Sequence, residues 1–134
     1  MKTNWIGMAV LTTLVAGGLY AQDVSHKKKT TMEAFMSQKL GYSEKIVEGI
    51  TLENYRLISS NSVHLTQMTQ SNVWVKIPDA DYLKKTVQYR ADVMAMIDAA
   101  RATNTPAVLN AYARVTADCV DCHHIFRNEQ RHKL

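Results

Sequence analysis

Apolar residues recur along this chain at helical spacings of three and four, and they separate into four stripes. The first is Met32, Phe35, Met36, Leu40, Ile46 and Val47, which predicts a helix over residues 31–49 with Gly49 as its C-terminal cap. Tyr55, Ile58, Leu65 and Met68 predict a second over residues 52–70. The connection 71–78 carries Trp74 and the alternating Val73, Val75 and Ile77, a strand-like run with no second strand to pair with. Asp79, after Pro78, caps a third helix that reaches residue 103, with Leu83, Val87, Arg90, Met94 and Ile97 in one row. Thr105-Pro106 opens a fourth, reaching residue 127, as a cap residue followed by proline in the first turn. Its stripe is Val108, Tyr112, Val115, Cys119, Cys122 and Phe126. Each helix is amphipathic and needs the others to cover its stripe. The expected fold is all-α: an antiparallel four-helix bundle, up-down-up-down, with short loops.

The start of the chain has a different pattern. Met1-Lys2 is followed by an apolar run from Trp5 to Leu19 and by the small residue Ala21. Basic, then apolar, then small is the order of a secretory signal, placed here at residues 1–21, with the folded domain at 22–134. A retained anchor is the competing reading. The run is shorter than the ~20 residues a spanning helix needs, so no stable membrane span is expected once the signal is removed. A chain of 134 residues suits one domain. Its formal net charge of +4 favours an acidic partner and is too small to argue for nucleic acid.

The chain has two cysteines, Cys119 and Cys122, and two thiols so close cannot staple distant parts of a secreted domain. Their role is local. With His123 they share one face of the fourth helix, since residues three and four apart are neighbours there. Two thiols at this spacing can add across the two vinyl groups of a haem, and the following histidine can reach the iron. Cys-x-x-Cys-His is the attachment pattern of c-type haem, and export agrees with it, because that haem is attached outside the bacterial cytoplasm. A redox dithiol would follow a strand in a βαβ unit, and no such pattern is present. Zinc would need four ligands, and no second ligand pair is spaced for it.

The stretch Cys119-Val120-Asp121-Cys122-His123-His124-Ile125-Phe126-Arg127, near the end of an exported helical chain, resembles the class II c-type cytochromes. These are the cytochrome c′ family and its low-spin methionine-ligated relatives. The resemblance implies one covalently attached haem c per chain, with Cys119 and Cys122 as thioether anchors and His123 as an iron ligand. It places the distal residue on the first helix, where Met32 and Met36 stand one turn apart. Met32 is nearer the family's position and is the implied second iron ligand. The arginine and glutamine that the family carries early in that helix have no counterpart here, and Lys29 or Lys39 is the basic group available. His64 is an alternative ligand, and Trp74, Tyr82, Tyr89 and Tyr112 are aromatic residues able to pack on the macrocycle. The resemblance also allows a homodimer.

The functional expectation is an exported, periplasmic carrier of electrons between redox partner proteins, not an enzyme. The alternative is a five-coordinate haem protein that binds nitric oxide or carbon monoxide. A haem peroxidase ranks third, because no acid–base set over the haem is legible.

Overall fold

A computed structural model describes residues 30–74 and 79–131. The signal predicted over residues 1–21, Lys29, His26, His132, Val75 and Ile77 lie outside the described residues. Within them the chain is helical throughout, with no strand: α1 is Thr31–Thr51, α2 is Tyr55–Met68, α3 is Ala80–Arg101 and α4 is Thr105–Arg131.

Helix starts follow capping chemistry. Thr30 and Glu33 form a reciprocal capping box at α1, and Asp79 accepts from the Tyr82 N–H at α3. Two chain reversals use one device twice. Glu53 and Thr103 have positive φ, 49° and 50°. Asn54 N–H bonds the Gly49 carbonyl at 2.8 Å, and Asn104 N–H bonds the Ala99 carbonyl at 3.0 Å. These are Schellman endings with a non-glycine residue in the left-handed position. Each asparagine then turns its side-chain oxygen on the next helix, accepting from the Leu57 N–H at 3.0 Å and the Ala107 N–H at 3.1 Å. One residue therefore ends one helix and starts the next. Such short reversals make α1–α2 and α3–α4 helical hairpins.

Two sequence expectations change here. Gly49 is not the cap: α1 runs on to Thr51, and Gly49 lies buried inside it. Its lack of a side chain serves packing, because a Cβ would stand 2.8 Å from Ile58 Cγ1 and 3.1 Å from the Ile58 backbone nitrogen. The fourth helix is capped by Asn104, not Thr105. The Thr105 hydroxyl instead pairs with the Tyr55 hydroxyl at 2.7 Å, joining the starts of α2 and α4.

The helices form a four-helix bundle in which α1 packs on α2, α2 on α3, and α3 on α4, while α1 and α4 barely touch. The core comprises Ile46, Ile58, Leu65, Val93, Met96, Val108 and Val115, all buried. Full burial of such a side chain contributes roughly 1.5–3 kcal/mol. The α3 row of the sequence reading is displaced. Leu83, Val87 and Met94 are exposed, and the buried row is Tyr82, Thr86, Tyr89, Val93, Met96 and Ala100. Arg90 is not a core residue either: its guanidinium donates to the Thr69 hydroxyl and carbonyl at the end of α2. On α1, Leu40 and Val47 face outward.

Two substitutions test this account. Gly49→Ala should destabilise the fold by about 1–3 kcal/mol through overpacking against Ile58. Thr103→Gly should stabilise it by up to about 1 kcal/mol by relieving the left-handed conformation. Urea denaturation followed by circular dichroism measures both, and an unchanged midpoint for either would contradict the corresponding turn geometry.

Candidate functional site

The thin α1–α4 seam opens into two cavities of about 150 and 390 Å³. Met36 and Lys39 of α1 and His123 of α4 border both. The smaller cavity is completed by Met32, Trp74, Tyr82, Cys122 and Phe126, and the larger has Cys119 on its wall. One cysteine therefore faces each cavity. Cys122 is buried, Cys119 is half-buried, and both are free thiols. Burial pushes the Cys122 thiol above its ordinary value. His123 reaches the surface, and burial of part of its ring, with the nearby Lys39 and Arg127 charges, holds its imidazole below the usual value.

Trp74 braces the floor of the seam. Its indole N–H donates to the Thr86 hydroxyl at 3.0 Å, and the Tyr82 hydroxyl donates to its carbonyl at 3.1 Å. Phe35 meets its ring edge-on at 6.2 Å and Tyr89 lies tilted at 5.4 Å. Lys39 enters this aromatic cluster and is 7% exposed. Its Nζ lies 4.5 Å from the Trp74 ring centroid and 4.3 Å from that of Tyr89. Burial lowers its pKa, opposed by the Cys119 and Cys122 thiols, by a hydrogen bond with Cys119 and by the Asp118 charge.

A polar cluster lies behind the cysteines. Asp92 is buried, accepts from Gln88 and pairs with Arg114. Asp118 is buried one residue before Cys119, and its Oδ2 has no hydrogen-bond partner; the same holds for the buried Tyr89 hydroxyl. Burial first, and then the Asp92 charge, push the Asp118 carboxyl up to about 6. Lys85 pairs with Asp121 at the partly exposed edge of this cluster.

The residues singled out from sequence thus converge in large part. Met32, Met36, Cys119, Cys122 and His123 all line the seam, as do Trp74 and Tyr82. His64 does not: it is exposed on α2, stacked on Tyr42 at 4.8 Å. His124 and Arg127 are exposed. Among the described residues no group of three or more His, Cys, Asp or Glu side chains is gathered as a metal ion's ligands would be. The depth of Lys39 was missed, although it stands seven residues after Met32 and three after Met36, on the same helical face. Comparison with protein-family models, curated proteins and solved structures found no match for the chain.

The Asp118 environment has a measurable consequence. Its folded-state pKa of about 6 stands above the ordinary 3.8, so the folded state binds a proton more tightly than the unfolded chain. Its contribution to stability is full below pH 3.8 and is lost as the pH rises through about 6. Urea midpoints measured across that window should fall with rising pH, and Asp118→Asn should flatten the slope.

Proposed function

We propose that this chain is an exported mono-haem c-type cytochrome that carries electrons. The observation that carries the reading is the seam itself. Cys119 and Cys122 border adjoining cavities that share His123, in the one place where two neighbouring helices of the bundle hardly meet. The residues present fit a haem on three counts. The thiols stand one turn apart on a single helix, as thioether bonds to two vinyl groups require. The smaller cavity is mostly apolar and aromatic, which suits a flat hydrophobic macrocycle. The imidazole adjoins both spaces, as an iron ligand must.

The haem, when bound, supplies reversible one-electron iron chemistry. Cys119 and Cys122 would hold it covalently, and His123 of α4 would ligate its iron. Met32, Met36 and Lys39 of α1 line the same cavity. Trp74 and Tyr82 line the cleft with buried aromatic surface, which would tune the potential. His123 and Phe126 bring the edge of the cleft to the surface, which suits electron exchange with a docked protein. The net charge of +4 suits a partner with an acidic face. A homodimer is compatible with this reading.

The test is expression of the full chain in a periplasm equipped for c-type haem attachment. One haem per chain should survive denaturing electrophoresis, and Cys119→Ala with Cys122→Ala should abolish it. A native chain without covalent haem, or a doubly substituted chain that retains it, refutes the reading. The absorption spectrum then separates two uses. A six-coordinate low-spin iron indifferent to carbon monoxide supports the carrier, whereas a five-coordinate iron that binds the gas would move the assignment to a gas-binding protein.

A further inference from the structure

Lys39 sits where an ammonium group is hard to keep. It is 7% exposed, and no ion pair among the described residues includes it. Two aromatic rings face its Nζ at 4.5 and 4.3 Å. Such contacts are worth about 2 kcal/mol when desolvated, whereas taking a charge out of water costs several kcal/mol. The position lies on a helix whose neighbouring buried residues are apolar or small, Ile46 and Gly49 among them. A nitrogen at this point calls for a use.

A solvating role is excluded by burial. What its placement offers is a donor residue on α1 that lines the same cavities as His123 of α4. Met36 and Lys39 are the α1 residues that border both cavities, and His123 borders both from α4. Between the two, the amine is the harder donor and suits ferric iron better than a soft thioether.

Resting on the haem reading, we propose that the ε-amino nitrogen of Lys39 is the iron ligand opposite His123. The ammonium gives up its proton to solvent, its lone pair forms the bond to iron, and no electron changes hands. The desolvated buried charge would disappear in the same step. Met32 and Met36 then serve as apolar walls, and the sequence-based expectation that Met32 ligates gives way.

The experiment is electron paramagnetic resonance and near-infrared magnetic circular dichroism of the ferric full-length protein, with variants. The native protein should show the low-spin signature of two nitrogen ligands and no sulfur-to-iron band. Lys39→Ala and Lys39→Arg should both become high-spin and bind carbon monoxide in the ferrous state, while covalent haem is retained. Arginine keeps the charge but cannot deprotonate to ligate, so a purely electrostatic role would survive it. Met32→Leu and Met36→Leu should leave the spectra unchanged. A sulfur-to-iron band in the native protein, a five-coordinate native iron, or a low-spin spectrum that persists in Lys39→Arg overturns the assignment while leaving the cytochrome reading intact. Absence of covalent haem in the native chain overturns both. The native spectrum decides even where a variant fails to fold.

Discussion

Everything at the site depends on a bundle closed along three seams and left thin along the fourth. The Schellman reversals at Glu53–Asn54 and Thr103–Asn104 commit α1 to α2 and α3 to α4, because a short turn leaves each helix little choice of neighbour. The α2–α3 seam is closed by core packing and by Arg90, which reaches across to Thr69. Among the described residues α1 and α4 meet far less closely. Helices that pack ridge into groove approach to 8–10 Å, too close to admit a planar group between them. A seam without such packing is therefore a precondition for a flat ligand, and the cysteines lie on it.

The polar groups around that seam are costly. Tyr89 and Asp118 each bury an oxygen without a hydrogen-bond partner, and Lys39 buries an amine that is in no ion pair among the described residues. An unsatisfied buried polar group costs about 1–3 kcal/mol, which is a large share in a small domain whose whole stability is about 5–15 kcal/mol. Their grouping on one side of the core matters more than their number. Elsewhere the buried polar residues Asn61, Ser62 and Thr69 all donate to α2 carbonyls, among Ile, Leu, Val, Met and Ala in ordinary contact. Polar defects gathered beside one open seam are the pattern of a place organised for chemistry rather than for stability.

The sequence made the helices and the motif legible but not every face. On α4 and α2 the apolar stripe coincides with the buried face, because Val108, Val115, Ile58 and Leu65 sit in a core that is apolar on all sides. On α3 the apolar row points outward at Leu83, Val87 and Met94, and only Ile97 of its apolar members is buried. Its inner face is built from Tyr82, Thr86, Tyr89 and Asp92, whose hydroxyl and carboxylate groups are mostly bonded in place, together with small Ala99 and Ala100. A reading that scores hydrophobicity passes over such a face, and the exposed Leu83 and Val87 take its place. The Gly49 misassignment has the same root. Sequence identifies glycine as permissive without distinguishing the need for a left-handed turn from the need for space, and here Ile58 supplies the second reason.

Lys39 joins these points. On the sequence it was a spare basic group near the start of a helix, a default surface residue. Its four-carbon stem lets an α1 position reach deep into the seam, where methionine would reach nearly as far and satisfy the core better. If packing alone governed position 39, an apolar side chain would be favoured by the full desolvation cost of the ammonium. In the proposal above, a lysine stands there, beside Trp74 and Tyr89 in a cavity it shares with His123, for the sake of its nitrogen. Two nitrogen ligands would also favour ferric over ferrous iron relative to a methionine–histidine pair and set a lower potential. The side chain filling that one position on α1 would then decide which donors can reduce the protein and which acceptors can oxidise it.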